Sequence, residues 1–261
     1  MNRYALLIES SSVKGLEDLP GARRDMVNWK KHLKNNFAGA WNDNEIRELS
    51  KPTTGDLSKW IAHLNTMDFA IVVFSGHGYR DKGQDYICLN DFEQSVHVSY
   101  FQPSCRSIVV LDACRGVEET QAVALSTSHA SNSTNYSFLA NSVNYAKLAE
   151  AANEIQLQNR YRLFYESELQ KINGRVVLQS CAVGEAAGEN PLNGGYYTTS
   201  LLRSARKWHE VRKDLPYKYI LPIYEANSLA IADMRQRNIF QSPQMTPYMQ
   251  GGSLPFAIKP N

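Results

Sequence analysis

Two short strings in this chain hold residue types that together do thiol chemistry: Ser75-Gly76-His77-Gly78 and Asp112-Ala113-Cys114-Arg115-Gly116. An imidazole beside a cysteine takes the thiol proton, giving a nucleophilic thiolate, and later protonates the leaving amine of a cleaved peptide. That assigns His77 as general acid/base and Cys114 as nucleophile. Gly76 and Gly78 let the chain turn sharply beside the ring. The amide of Gly78, with that of Cys114, would make an oxyanion hole for the substrate carbonyl. No side chain is evident as a third, orienting member.

Such chemistry needs the two strings side by side, and each closes an apolar run. Asp68–Phe74 and Ser107–Leu111 read as central strands of a sheet covered on both faces. If they are parallel neighbours, His77 and Cys114 emerge at one edge, where function gathers in open α/β sheets. Tyr4–Glu9, Glu45–Leu49 and Arg175–Gln179 read as further strands, Tyr86–Leu89 as a hairpin strand, and a last strand falls near Ser253–Ile258. A helix from about Gly21 to Phe37 aligns Met26, Trp29, Leu33 and Phe37, with Arg23, Arg24, Lys30 and Lys31 facing elsewhere. Thr53 and Asp56 form a capping box ahead of a helix that buries Leu57, Trp60, Ile61 and Leu64. Two more helices are expected over about Tyr197–Trp208 and Tyr224–Arg237. The alternation implies an α/β fold with a mostly parallel, doubly wound sheet and helices on both faces. From Thr120 to Ala146 no side chain is charged, which reads as a loop, and Ala146–Ile172 is amphipathic enough to be helical. The whole interval from about 117 to 174 is therefore expected to be an insertion after the nucleophile strand of a single domain spanning 1–261.

Composition sets the surroundings. The 261 residues carry 28 Lys and Arg against 26 Asp and Glu, a net charge of +2, so there is no global basic field to favour nucleic acid. The chain opens without a signal-like or membrane-spanning apolar stretch, and the expectation is a cytoplasmic protein without a membrane partner. The four cysteines, 88, 105, 114 and 181, lack the close pairing of a zinc site, and no bound metal is expected. Cys88 and Cys105 read as structural and Cys181 as a small residue beside the substrate strand. His32, His63, His97, His129 and His209 read as surface or helix-face residues. A nucleotide-binding α/β protein would need a phosphate loop, and neither a third glycine nor a Lys-Ser/Thr follows Gly76 and Gly78.

With these strings the sequence resembles the caspase-like cysteine peptidases, the group of caspases, metacaspases and paracaspases, over most of the chain outside the insertion. Leu19-Pro-Gly-Ala-Arg-Arg-Asp25 is similar to the entry to that family's first helix. Asn193-Gly-Gly-Tyr-Tyr-Thr-Thr-Ser-Leu-Leu202 resembles its substrate-side helix, and Gln241-Ser-Pro-Gln244 its C-terminal loop. Strict caspases have Gln-Ala-Cys with the histidine about 50 residues upstream. Here the string is Asp112-Ala113-Cys114 and His77 stands 37 residues upstream, closer to prokaryotic metacaspase-like members. The resemblance implies a cysteine endopeptidase working with a Cys-His dyad. It also implies a pocket of Asp112, Asp25 and Ser75 for a basic side chain, so that cleavage follows Arg, then Lys. Two carboxylates suit a guanidinium through charge-assisted hydrogen bonds. Arg115, if it pointed into the pocket, would favour acidic substrates instead, and it is expected to point away. Asp25 reads equally as a first-turn helix acid.

Regulation is open at this level. The family's calcium activation would fall to Asp81, Asp85 and Asp91, which otherwise read as solvated loop residues. The insertion is either a loop cut to mature the enzyme, with Lys147, Arg160 and Arg162 as basic candidates in or beside it, or a dock for an activating partner. The rival class is a catalytically silent, protease-shaped regulatory or scaffold module.

Overall fold

The computed structural model describes residues 1–91, 94–116, 145–250 and 252–261, with the backbone alone over 145–150. Loop residues Thr120–Asn144 and His129 lie outside the described residues.

The elements in chain order are β1 (Arg3–Ser10), α1 (Pro20–Lys34), β2 (Ile46–Ser50), α2 (Thr54–Leu64), β3 (Phe69–Gly76), β4 (Gly78–Asp81), β5 (Gln84–Ile87), β6 (Val96–His97), β7 (Arg106–Asp112), α3 (Tyr145–Leu169), β8 (Asn173–Gln179), β9 (Glu189–Asn190), β10 (Gly194–Gly195), α4 (Tyr196–Glu210), β11 (Tyr219–Pro222), α5 (Ile223–Gln236), β12 (Gln244–Gln250) and β13 (Pro255–Lys259). Six strands form the central sheet in the order β12-β8-β7-β3-β1-β2. All neighbours are parallel except β12, which runs antiparallel along β8. This is the mostly parallel α/β sheet that the alternation of apolar runs predicts.

The sheet faces bury different side chains. Ala5, Leu7, Ile71, Val73, Ile108 and Val110 join a core with α1, α3, α4, α5 and β13. Leu6, Ile8, Val72, Phe74, Val109 and Leu111 point the other way, toward α2 and the β4–β6 ribbon. Every residue of β3 is buried, as its uninterrupted apolar run requires. The Thr53–Asp56 capping box forms, with Asp56 N–H donating to Thr53 Oγ1 at 3.1 Å and Thr53 N–H to Asp56 Oδ2 at 3.1 Å. In α2 only Leu57 and Leu64 are fully buried; Trp60 stacks on Tyr4 with Ile61 beside it at the margin of the core.

Several readings change. The expected insertion is too long, because Tyr161, Tyr165, Leu169 and Ile172 all enter the main core. The elaboration therefore ends before the second half of α3. The strands β11 and β12 have no clear apolar signature: β12 is an exposed edge, and Pro247 sits where an edge strand tolerates a missing N–H. The final strand belongs to a separate antiparallel pair with β11. His32 is not a surface residue: it flanks the apolar stripe of α1, is buried, and stacks on Phe256 at 5.0 Å. Burial pushes its imidazole down to about 3, so the ring is neutral. His209 is half-buried and stacks on Phe37 at 4.9 Å. No helix among the described residues is long and apolar enough to cross a membrane.

Candidate functional site

Parallel pairing of β3 with β7 sets Ser75 opposite Asp112, so both strings leave the sheet at one edge. Gly76 adopts φ +154°, and a Cβ there would lie 2.7 Å from the Ser10 carbonyl oxygen. Only glycine fits that exit from β3. A Cβ on Gly78 would lie 2.8 Å from the Cys114 carbonyl oxygen and 3.0 Å from Ala113 Cβ. The second glycine is therefore what lets the histidine string press against the cysteine string. Further along, Arg80 N–H donates to the Gly116 carbonyl at 2.9 Å and ties the two strings again.

His77 is half-buried, and its Nε2 lies 2.6 Å from the backbone carbonyl oxygen of Glu17. A carbonyl only accepts, so Nε2 carries the proton and Nδ1 of the neutral ring is left as the base. Burial holds the ring below its ordinary pKa, partly offset by the Glu17 carbonyl bond. The orienting group that no side chain in the sequence suggested is thus a main-chain carbonyl, which carries no sequence signature.

Cys114 is half-buried under the segment that follows β8. Its Sγ accepts from Ala187 N–H at 3.3 Å and lies 3.8 Å from the Ala187 carbonyl oxygen. Burial holds the thiol above its ordinary pKa, and the nearby charges of Asp112 and Glu189 add to the effect. At rest the sulfur is a protonated thiol covered by backbone.

Beside it lie two buried acidic side chains. Asp25 is fully buried; Ser75 Oγ donates to its Oδ2 at 2.7 Å and Gly195 N–H to its Oδ1 at 3.0 Å. Asp112 is buried and accepts from Thr198 Oγ1 at 2.6 Å and Thr198 N–H at 3.2 Å. Burial raises both carboxyl groups, and for Asp25 the charge of Asp112 adds to it, well above the ordinary range. Among the described residues no Lys or Arg pairs with either one. The structure therefore brings Asp25, Ser75 and Asp112 together, and Asp25 lies beyond the first turn of α1.

Sequence reasoning missed Glu189. Its Oε1 accepts from Gly21 N–H at 3.0 Å, capping α1 from a distance because Leu19 offers no side-chain cap. Burial and the charge of Asp112 raise its pKa. The string Glu185-Ala-Ala-Gly-Glu189 follows the C-terminal end of a central strand, the position at which sites gather, and that signal could have found it.

Arg115 points away from Asp25 and Asp112, as expected. Its Nη2 lies 2.7 Å from Asp85 Oδ2, and its Nη1 donates to the Cys181 carbonyl at 3.1 Å. Cys181 is buried next to this string, with its thiol pushed up to about 12, and Cys88 and Cys105 are pushed up to about 11. Each of the three loop aspartates stands beside a cationic side chain. Asp85 is held by both Arg80 and Arg115, while Asp91 pairs with Lys14 and Asp81 with Lys82. Among the described residues no cluster of three or more His, Cys, Asp or Glu could hold a metal.

A sequence model of the family described as "Caspase domain" matches residues 2–246. Among solved structures, the chain is similar to caspase-1 from Spodoptera frugiperda, with a TM-score of 0.57 and 12% identity over 94% of this chain and 86% of that one, a likeness of fold. No curated protein sequence matches.

Proposed function

This chain belongs to the caspase-domain family of cysteine peptidases, and from that premise we propose an endopeptidase that cleaves after Arg and, less well, after Lys. Cys114 Sγ attacks the scissile carbonyl carbon while its proton passes to His77 Nδ1. The C–N bond then breaks, His77 protonates the departing amine, and water hydrolyses the thioester. The amides of Gly78 and Cys114 stabilise the oxyanion.

The observation that carries the specificity is the pair of buried carboxyl groups that no Lys or Arg among the described residues pairs with. Two such groups close together disfavour ionisation of both. A guanidinium between them would relieve that cost and gain charge-assisted hydrogen bonds. Substrate entry displaces Gly195 from the carboxylates and Ala187 from Cys114.

The enzyme works as an intact chain. Between Arg115 and Lys147 there is no Lys or Arg. Lys147, Arg160 and Arg162 lie within α3, where the backbone is engaged in its own helical ladder, and Arg162 is further held by Glu45 and Glu166. A maturation cut at these residues is therefore not part of the reading.

The test is cleavage of fluorogenic peptides ending in Arg, Lys or Asp by the parent, Cys114→Ala and His77→Ala proteins, with mass spectrometry of the purified parent. Arg turnover lost in both variants, from an uncut parent, is the expected result. Preference for Asp would overturn the pocket. Turnover in the Cys114→Ala protein would overturn the nucleophile, and silence throughout would favour the scaffold reading.

A further inference from the structure

A second site lies on the face of the molecule formed by α1 and α4. The two helices leave between them a cavity of about 480 Å³, the size of a small-molecule site. Both walls are basic. Arg24 and Lys31 line it from α1, and Arg203 and Arg206 line it from α4, with Asn28 and Thr199 adding polar groups at the same level. The spacing is mirrored: Arg24, Asn28 and Lys31 fall on one helical stripe, and Thr199, Arg203 and Arg206 repeat the same intervals of four and three.

Like charges facing each other across a groove repel, and nothing in the groove fully compensates them. Among the described residues Arg24, Lys31 and Arg206 make no ion pair. Arg203 has only Asp233 at 3.6 Å, and that carboxylate also serves Lys207 and Arg237. The one acid on the lining, Glu210, is engaged by Lys213 at 3.0 Å. Phe37 and Leu202 line the groove as apolar surface, with the buried ring of His32 beside them.

We infer that this groove binds a compact polyanion, a compound bearing a di- or triphosphate group. Three arginines favour phosphate, whose oxygens match the guanidinium fork, and four cations around one cavity suit several negative charges on a small ligand. The volume fits a ligand of that size rather than a macromolecular surface. One edge of the groove adjoins the loop that packs on Asp25 and Asp112. Asn28 Nδ2 and Thr199 Oγ1 both donate to the Asn193 carbonyl, at 2.8 and 3.1 Å, and the next residues, Gly194 and Gly195, rest on Asp25 and Asp112. The anion site thus lies next to the loop that covers the proposed peptidase centre, yet it does not depend on that centre being active.

Isothermal titration calorimetry on the full chain carrying Cys114→Ala tests the inference without turnover, using sodium tripolyphosphate, ATP and a polyglutamate peptide as separate probes. The expected result is binding of tripolyphosphate, ATP or both that weakens with salt and falls about tenfold or more in Arg24→Glu and in Arg206→Glu. Lys59→Glu, on the exposed surface of α2, is expected to leave it unchanged. Binding of tripolyphosphate alone identifies free polyphosphate chemistry, and binding of ATP alone identifies a nucleotide. No binding of either phosphate at millimolar concentration would overturn the site. So would equal loss in Lys59→Glu, binding unchanged by both reversals, or binding of polyglutamate alone. Circular dichroism of each variant separates loss of the site from loss of the fold.

Discussion

Gly195 N–H donates to Asp25 Oδ1 at 3.0 Å, so the buried acidic pair is covered by a residue without a side chain. A Cβ on Gly195 would collide with Asp112 Oδ2 and lie 3.0 Å from Asp25 Oδ2. Its φ of −55° suits alanine, so the conflict is one of space and not of backbone conformation. Gly195→Ala is expected to lower stability by about 1–3 kcal/mol, the usual cost of overpacking. It should also reduce kcat/KM for Arg peptides, because the methyl group fills the space a guanidinium needs. Thermal melts and steady-state kinetics read both effects. Unchanged kinetics would remove Gly195 from the substrate site.

The same carboxylates make stability depend on pH. Unfolded aspartates ionise near pH 3.9, roughly. The folded groups hold their protons to higher pH, because burial raises Asp25 and Asp112. Between the unfolded and folded values the native state binds more protons than the unfolded one, so stability falls as pH rises and levels off above the folded pKa. The slope is at most about 1.4 kcal/mol per pH unit for each proton held. Asp25→Asn keeps an acceptor for Gly195 N–H and removes one titration. Urea midpoints from about pH 5 to about pH 8 should decline less steeply in this variant than in the parent, while Arg turnover drops. An identical slope would show that Asp25 is ionised at rest.

The resting thiol gives a separate readout. Burial, then the charges of Asp112 and Glu189, keep Cys114 above its ordinary range, and burial holds His77 below its own. Alkylation follows the thiolate fraction. The rate of iodoacetamide modification at Cys114, followed by mass spectrometry, should therefore climb through neutral pH without levelling off below about 8.5, the ordinary thiol value. Cys88, Cys105 and Cys181 are pushed up to about 11, 11 and 12, and should react later. A plateau near neutrality would mean that a thiolate–imidazolium pair is already formed at rest.

How far the sequence discloses this arrangement depends on the kind of group involved. The strings ending at His77 and Cys114 are legible because each follows a run of residues buried on both faces, and only a sheet interior explains such runs. Asp25 and Asp112 are legible through resemblance, and that no cation among the described residues pairs with them becomes visible only once α4 and β10 are packed against them. The Glu17 carbonyl could not be read at all, since every residue carries one. Glu189 lay at a strand end that the rule for α/β sheets marks, but its role depends on a helix start 168 residues away. The edge strand β12 escaped because half-exposed residues with a central proline give no period.

Arg115 supplies the last expectation. Its guanidinium donates to Asp85 Oδ2 from Nε at 3.0 Å and from Nη2 at 2.7 Å, and it reaches the Cys181 carbonyl and Gln244 across the sheet. It is therefore a brace joining β5, the nucleophile string and β12. Removing one partner of a buried ion pair costs about 3–5 kcal/mol when the other is stranded. Arg80 remains on Asp85, so Arg115→Ala is expected near the lower end, about 3 kcal/mol by urea denaturation. Because the side chain points away from Asp25 and Asp112, Arg115→Lys, which keeps the charge, should retain the preference for Arg over Asp peptides even with reduced stability. A gain of Asp cleavage in that variant would place Arg115 in the substrate pocket and reverse the preference assigned to Asp25 and Asp112.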